Sequence, residues 1–308
     1  MIKITEEILL YSGIATFGMF KHSRDLTDVD IAVMGVPFDN GTTNRSGQRQ
    51  GPRAIRAVSN LALDFNYQWD TDDFTLRTAC QNIIDYGDVG ASVGEGAASH
   101  MISETYKHAK KIIEAGGNVV CIGGDHTVPF GPIRAIAEKY GKVSILHFDS
   151  HQDSIPSDGQ ISHANFAYDL VEEGYIDAKQ SAQIFIRTNM DNCGYNILYA
   201  DEAIELGPKE LAKKLKAIVG DNPVYITFDI DAFDPSVAPG TGTPVCGGPN
   251  SNFVKTMFRN LDGINVVGGD VVEVNPLYDT GEITSLLAAS IAQDIMCLIA
   301  KTRLRNKK

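Results

Sequence analysis

Short runs of apolar residues recur along the chain and predict the strands of a sheet. They are mainly β-branched or large, and they lack the alternation of apolar and polar positions that marks a half-exposed strand. Runs of this kind are expected where helices cover both faces of a sheet. The predicted strands lie in VDIAVMGV (29–36), NVVCIGG (118–124), VSILHFD (143–149), SAQIFIR (181–187), PVYITFD (223–229) and INVVGGDVVEV (264–274).

Amphipathic segments between these runs predict helices. In Ser99–Glu114 the apolar residues fall near one stripe at helical spacing, and a Gly-Gly pair follows. Pro208–Val219 begins with proline, which favours a first helical turn, and stops at Gly220. Repeated strand-helix order predicts an α/β fold with a mostly parallel sheet and helices on both sides. Because no internal repeat and no linker rich in Pro, Gly or Ser is present, we predict a single domain over residues 1–308.

The charge of the chain narrows its partners. A formal net charge of −12 on 308 residues would be repelled by nucleic acid and by anionic membranes, so we expect neither. A small cationic substrate would be attracted instead.

Targeting signals and cysteine usage favour a cytoplasmic protein. The N-terminal MIKITEEILLYSG has no basic start followed by a long apolar core, and we expect no segment with the roughly 18 apolar residues of a membrane span. The scattered cysteines form no CxxC pair and are expected to be reduced, largely buried thiols. They are Cys80, Cys121, Cys193, Cys246 and Cys297.

Aspartate and histidine residues follow three of the predicted strands, and a glutamate follows a fourth. Ligands of parallel α/β sheets bind just beyond the carboxyl ends of the strands, so these residues are candidates for a site. They are Asp125 and His126, then Asp149, Ser150, His151, Gln152 and Asp153, then Asp229 and Asp231, and finally Glu273.

The spacing of these residues predicts a metal centre. Alternate residues of an extended chain share a side, so Asp149 lies with His151, and Asp229 with Asp231. Gathered carboxylates would repel one another unless cations neutralise them. Carboxylates with one or two imidazoles suit manganese, zinc, iron or nickel. Two histidines and four aspartates exceed the needs of one ion, so we predict two ions that share bridging carboxylates.

Other polar residues have simpler interpretations. Asp125 is expected to cap a helix or to orient His126. His147 lies inside an apolar run and is interpreted as a core histidine whose hydrogen bonds are satisfied. Solvated surface histidines are expected at His22, His100 and His108.

Two glycine-rich segments predict loops. GDVGASVGEGAAS matches no dinucleotide or P-loop fingerprint. VAPGTGTPVCGG (Val237–Gly248) follows Asp231, and we expect an ordered loop over the site with Thr241 and Thr243 facing a substrate. The terminal KTRLRNKK is expected to be a solvated helix end.

Several blocks together resemble the ureohydrolases, the family of arginases and agmatinases. The resemblance covers nearly the whole chain and implies an arginase-like, three-layer α/β/α domain with a parallel sheet, assembled as homotrimers or homohexamers. The blocks are GVPFDNGTTNRSGQRQGPRAIR (Gly35–Arg56), GGDHT (Gly123–Thr127), FDSHQD (Phe148–Asp153), FDIDAFDPSVAPGTGTP (Phe228–Pro244) and DVVEVNPLYD (Asp270–Asp279).

The resemblance also implies ligands for two manganese ions, with nickel as an alternative. One ion would be held by His126, Asp149, Asp153 and Asp229, and the other by His151, Asp149, Asp229 and Asp231.

Catalytic roles follow from the same resemblance. His163, in ISHANF, matches a histidine that shuttles protons, and Asp153 would carry a proton to the departing amine. Glu273 matches the carboxylate that binds the guanidinium, with Thr243 beside it.

Within the family the closest likeness is to the agmatinases, which cleave agmatine to putrescine and urea in polyamine biosynthesis. PGTGTP is of the agmatinase type, and Ile155 stands where arginases have an asparagine that binds an α-amino acid. Ser150 and Ala164 depart from the usual alanine and glycine. Guanidinobutyrate, guanidinopropionate and guanidine therefore remain alternative substrates.

Two further interpretations differ in class. A related amide deacetylase with one zinc would need a His-His pair, and the chain has no HH dipeptide. A relative without catalysis that binds a polyamine would usually have lost a ligand, whereas all six positions are filled.

Overall fold

The computed structural model describes residues 12–64, 69 and 74–307, except for the side chain of Asp64. Most of the N-terminal segment that was searched for a leader therefore lies outside the described residues.

One nine-stranded sheet of parallel strands forms the centre of the described structure, in the order β1-β3-β2-β4-β9-β8-β5-β6-β7. All six predicted strands are confirmed as β2, β4, β5, β6, β8 and β9. The other three strands, β1, β3 and β7, were not predicted. Each is short, at an edge of the sheet or rich in polar residues, and these features weaken the apolar pattern that indicates a strand. The strands are β1 (Lys21–His22), β2 (Ile31–Gly35), β3 (Ile83–Asp88), β4 (Asn118–Ile122), β5 (Ser144–Phe148), β6 (Ala182–Ile186), β7 (Asn196–Tyr199), β8 (Pro223–Asp229) and β9 (Asn265–Val272).

Helices cover both faces of the sheet and give the expected three layers. One apolar core lies between the sheet and helices α1, α2 and α6–α9, and a second lies between the sheet and α3–α5. The α-helices are α1 (Gly51–Asp64), α2 (Leu76–Ala79), α3 (Ala97–Glu114), α4 (Phe130–Tyr140), α5 (Phe166–Glu172), α6 (Ala200–Leu206), α7 (Pro208–Val219), α8 (Ser251–Asn260) and α9 (Ile283–Asn306). Short 3-10 turns occupy Phe17–Met19, Gln48–Gln50, Ala178–Gln180, Ile230–Ala232 and Pro276–Tyr278.

Both predicted helices are confirmed. The first begins two residues earlier than predicted, as α3, and the second has the predicted bounds, as α7. Pro208 stands in the first turn of α7, and Gly220 ends it with a φ of +54°, a conformation that glycine adopts at little cost.

Helix α9 is an exception to the expectation that no segment has the length and apolar composition of a membrane span. By length and composition it could cross a membrane, but most of its apolar window is buried inside the protein. It packs against α1 and β9, so it is the core helix of one face. Its last turn is tied to the fold, because Arg303 binds Asp30 and Arg305 binds Asp262.

The order of the strands positions the site. Strands β4, β9, β8 and β5 are consecutive neighbours, and they are the four strands that polar candidates follow. Their parallel direction brings all four carboxyl ends to the same edge of the sheet.

Candidate metal centre

His126 follows β4 and is fully buried at this edge. The Thr227 hydroxyl donates to Asp270 Oδ1 at 2.7 Å, so its oxygen accepts from His126 Nε2 at 2.8 Å. This chain of hydrogen bonds keeps a proton on Nε2 and leaves Nδ1 to face the site.

Three carboxylates surround the free nitrogen of His126. Nδ1 lies 3.0 Å from Asp149 Oδ2, 2.9 Å from Asp153 Oδ2 and 3.4 Å from Asp229 Oδ2. Within the described residues, Nδ1 nevertheless has no hydrogen-bond partner in acceptable geometry. Burial alone would lower the pKa of His126, but these carboxylates raise it well above its usual value. A divalent cation fits the same position, because it would replace a proton that three anionic oxygens attract.

A second group lies beside the first and shares Asp149. His151 Nδ1 is 3.3 Å from Asp149 Oδ1 and 3.1 Å from Asp231 Oδ2. Burial lowers and the two carboxylates raise the pKa of His151, to about 12. Asp149 thus turns one oxygen toward each histidine, which is the arrangement required of a bridging ligand.

The carboxylates of the cluster are under opposing influences. Burial raises the pKa of Asp149, but the neighbouring rings of His126, His147 and His151 hold it well below its usual value. Burial and the charges of Asp231 and Asp149 raise the pKa of Asp229 well above its usual value. Without a cation, the cluster therefore favours protonation of at least one carboxyl group.

Two acidic residues of the site, Asp153 and Glu273, have an unusual backbone conformation. Asp153 has a φ of +48° and Glu273 a φ of +65°, a region that non-glycine residues rarely adopt. Such conformations persist where surrounding contacts hold them, and they concentrate at functional sites. The Asp153 carbonyl accepts a hydrogen bond from Ala167 N, and Glu273 N donates to Gly124 O.

Ser150, which stands where the resemblance expects alanine, adds a hydroxyl to the second group. Its Oγ donates to Asp231 Oδ1 at 2.7 Å and lies 3.0 Å from His151 Nδ1. The side chain therefore fixes the orientation of Asp231.

His163 and Glu273 form a buried pair next to the cluster. His163 Nδ1 lies 2.9 Å from Glu273 Oε1, while Nε2 lies 2.9 Å from the Thr43 hydroxyl. Burial lowers and the Glu273 carboxylate raises the pKa of His163, to about 9. Glu273 also accepts bonds from His126 N on Oε1 and from Gln48 Nε2 on Oε2. Burial raises its pKa, but these partners bring it below the usual value.

A cavity of about 200 Å³ opens above the cluster. Residues of the cluster line it together with the apolar side chains of Ile155, Ala164 and Met190. Glu273 is absent from the described residues that line it, because it lies behind His163. The lining residues are Thr43, His151, Gln152, Asp153, Ile155, His163, Ala164, Thr188, Met190, Asp229 and Thr243.

The loop after β8 is ordered by Arg187. Its guanidinium donates to the backbone carbonyls of Asp231, Ala232 and Val245 at 2.6–3.2 Å. Thr243, which was predicted to face a substrate, lines the cavity with its hydroxyl 3.4 Å from Asp231 Oδ2. Thr241 was expected to face a substrate as well, but its side chain is fully buried.

The structure thus brings together all six predicted metal ligands, with His163 and Glu273 beside them. Among the described residues, the hydrogen-bond partners of Asp125 do not include the His126 ring. Asp125 accepts hydrogen bonds from Gly41 N and Thr127 N, which ties the loop after β4 to the loop after β2. Burial and the charge of Glu273 raise its pKa to about 7.

Two histidine interpretations are refined. His147 is buried with both ring nitrogens paired, as expected, yet one partner is Asp149 itself. His108 is not simply solvated, since Tyr86 Oη lies 2.8 Å from its Nδ1. Among the cysteines, Cys193 is half-buried and Cys246 is exposed, while the rest are buried as expected.

Several residues that shape the site were missed from the sequence. They hold other side chains rather than bind directly, and ordinary polar residues inside strands and loops give no distinctive signal. They are Thr43, Gln48, Gln183, Thr227 and Asp270.

A parallel three-layer fold with a buried histidine and aspartate cluster at the strand ends defines the arginase-like class. The arginase family matches residues 29–298, and the chain belongs to this family of ureohydrolases. The resemblance seen in the sequence is thereby confirmed.

Individual relatives are similar over nearly their whole length. An agmatinase of Chromobacterium violaceum is 44% identical over 303 residues, which is 97% of this chain and 91% of that protein. A crystal structure of a hypothetical agmatinase from Burkholderia thailandensis has a TM-score of 0.90 at 40% identity, covering 96% and 94% of the two chains. Proclavaminate amidino hydrolase from Streptomyces clavuligerus has a TM-score of 0.87 at 34% identity, covering 96% and 100%.

Proposed function

We propose that this protein hydrolyses agmatine to putrescine and urea with two bound manganese ions. The observation that carries the proposal is the buried, unpaired Nδ1 of His126, which is turned toward three carboxylates. Two of these residues, Asp153 and Asp229, line the cavity. The similarity to agmatinases supports the choice of substrate.

The six clustered residues would hold the ions. His126 and Asp153 would serve one ion, His151 and Asp231 the other, and Asp149 and Asp229 would bridge them. The oxygens of Asp149 support bridging most directly, since each lies near a different histidine. Nickel has similar preferences for oxygen and imidazole and is the alternative metal.

The ions would supply an activated water molecule, because two divalent cations lower the pKa of a shared water ligand toward about 7. Residues of the chain would bind and orient the substrate. The acidic site attracts the positive guanidinium, and Glu273 would hold it by charge-assisted hydrogen bonds. Thr243 lines the cavity and would contact the substrate.

Proton transfer is proposed for His163 and Asp153. In the structure His163 covers Glu273, so we propose that the guanidinium displaces the imidazole from Glu273 Oε1. The released ring lines the cavity and would exchange protons with solvent. Asp153 would accept the proton that the nucleophile gives up and deliver it to the leaving amine.

Another guanidino compound is the second candidate, favoured by one observation. The outer wall of the cavity carries the exposed apolar side chains of Ile155 and Met190. This wall suits an aliphatic chain and does not by itself select a terminal amine. Guanidinobutyrate, guanidinopropionate and guanidine are therefore to be compared with agmatine.

A urea-release assay on purified protein tests the proposal. Metal-stripped protein is reloaded with manganese or nickel and offered agmatine, arginine, guanidinobutyrate, guanidinopropionate and guanidine. We expect urea and putrescine from agmatine, and little urea from arginine because Ile155 offers no hydrogen bond to an α-amino acid. Release of urea from none of the five compounds with either metal would refute the proposal.

We further propose a single cytoplasmic domain that assembles as a homotrimer or homohexamer. The continuous sheet supports one domain. The cysteines of the described residues form no disulfide, which suits a reducing compartment. Light scattering after gel filtration would measure the assembly.

A further inference from the structure

His147 lies directly behind the bridging candidate Asp149, two residues earlier in the chain. Both side chains are fully buried, and His147 Nε2 is 2.8 Å from Asp149 Oδ2. This oxygen is the one that lies 3.0 Å from His126 Nδ1. His147 therefore contacts the part of Asp149 that faces the first ion position.

Gln183, on the neighbouring strand β6, decides which ring nitrogen of His147 carries the proton. Its Nε2 donates to the backbone carbonyl of Gln152. Because a carbonyl can only accept, the amide cannot be turned around without losing this bond. The same Nε2 lies 3.0 Å from His147 Nδ1, which must then be the acceptor. The neutral ring consequently carries its proton on Nε2 and donates it to Asp149.

The position of this proton decides whether His147 is itself a metal ligand or supports a neighbouring ligand, which distance alone does not decide. His147 lies close enough to His126, Asp149 and Asp153 to complete a four-residue metal site. Its Nε2 carries a proton, however, and its Nδ1 faces Gln183, so neither nitrogen offers a lone pair to an ion. A supporting hydrogen bond to a ligand is the role that remains.

We propose that His147 and Gln183 are a positioning pair that holds Asp149 for the cation bound by His126. This inference rests on the proposed metal ligands, but not on the substrate. Losing a hydrogen bond that orients a metal ligand typically weakens metal binding by about 10- to 100-fold. The ion bound by His151 uses the other oxygen of Asp149 and should be less affected.

Two substitutions at His147 test the hydrogen bond separately from the packing. His147→Phe keeps a ring in contact with His126 and Phe166, whose ring centroids each lie 5.0 Å from that of His147, but removes the donor. His147→Gln places an amide N–H near the position of Nε2. Manganese binding to metal-stripped protein is measured by calorimetry and by the electron paramagnetic resonance signal of free Mn²⁺.

We expect His147→Phe to raise the dissociation constant of one manganese by about 10- to 100-fold and to change the other by less than about threefold. His147→Gln should restore binding to within about threefold of the wild type. His108→Phe is the matched control, since His108 contacts Tyr86 and Arg24 and should leave both constants unchanged.

The proposal is overturned if His147→Phe binds both ions as tightly as the wild type. It is also overturned if His147→Gln loses an ion as completely as His147→Phe, because His147 would then be a ligand. If His147→Phe does not fold, Gln183→Leu takes its place. This variant leaves the imidazole but frees its tautomer, and should weaken one ion by about 3- to 10-fold; unchanged binding would refute the role of the pair.

The outcomes also distinguish this inference from the proposed function. Wild-type protein that binds two ions but releases no urea would refute the proposed reaction, while the comparison of His147 variants would still decide the positioning role. Wild-type protein that binds no manganese or nickel would refute both.

Discussion

Replacing Asp229 by asparagine should abolish the stabilisation of this protein by metal without weakening the metal-free fold. Asparagine has the shape of aspartate, and its Oδ1 can still accept the hydrogen bond that Asp231 N donates to Asp229 Oδ1 at 2.7 Å. What it removes is a negative charge that burial, Asp231 and Asp149 already disfavour. The metal-free variant should therefore be at least as stable as the metal-free wild type.

The expected gain from metal can be worked out for the wild type. An ion present at 100 times its dissociation constant stabilises the folded state by about 2.7 kcal/mol, so two ions contribute about 5 kcal/mol. An unfolding entropy of about 2.1 cal/mol/K per residue gives about 0.65 kcal/mol/K for the whole chain. The midpoint of thermal unfolding should then rise by roughly 8 °C.

The assay compares thermal unfolding in chelator and in excess manganese. We expect a rise of roughly 8 °C for the wild type and less than about 2 °C for Asp229→Asn. Asp234→Asn is the matched control. This aspartate lies five residues further on, and its carboxylate accepts hydrogen bonds from Ser236 N and Gly247 N instead of joining the cluster. A full metal response in Asp229→Asn, or none in the wild type, would refute the reasoning.

Three further predictions concern the neighbouring pair and the fold. His163→Ala should keep both metals by elemental analysis but lower turnover by about 10²- to 10⁴-fold, and an unchanged rate would remove His163 from the chemistry. Thr43→Val loses one hydrogen bond to His163 and should lower turnover by about 2- to 12-fold in steady-state kinetics, whereas a loss as large as that of His163→Ala would contradict a supporting role. Arg56→Met leaves the buried Asp85 carboxylate without its bidentate partner and should cost about 3–5 kcal/mol in urea unfolding at pH 7. Burial raises the pKa of Asp85, but Arg56 brings it below its usual value. The stabilisation by the ion pair is therefore complete above the unfolded-state pKa of about 3.9 and disappears as pH falls through the folded-state pKa. A cost of Arg56→Met that stays constant into acid would contradict this reasoning.

The central strands and two helices could be predicted from local patterns, because each face of these elements has the same kind of environment along its length. Strands β4, β5 and β8 are buried on both faces, which leaves continuous apolar runs. Strand β3 was missed because its run IIDYGD includes Asp85, a buried carboxylate neutralised by Arg56 from a distant helix. A local pattern cannot reveal a partner that is 29 residues away.

Helix α9, apart from its terminal end, was not predicted from the sequence, and its buried environment explains why. An amphipathic stripe marks a helix that is exposed on one side, as in α7. Helix α9 is buried on most sides, so its apolar residues are not confined to one stripe. Its one acidic core residue, Asp294, is compensated by Lys255 at 2.6 Å and by the Trp69 indole at 2.6 Å. Only the packed structure shows that this segment forms a core.

The sequence by itself determined the kinds of ligand at the site and their approximate position, because aspartate and histidine at alternate places after buried strands leave few other roles. It did not determine which strand ends meet. Which strand ends meet depends on the helical crossover connections. These place β4, β9, β8 and β5 side by side, although β9 is the last strand in the chain.

Tertiary structure alone decided which ring nitrogen carries the proton in the candidate ligand His126 and in the neighbouring His147. The proton of His126 is placed by Thr227 and Asp270 on β8 and β9, and that of His147 by Gln183 on β6. A hydrogen bond needs its two atoms within about 3 Å, and the chain achieves this between distant residues only when the sheet is assembled.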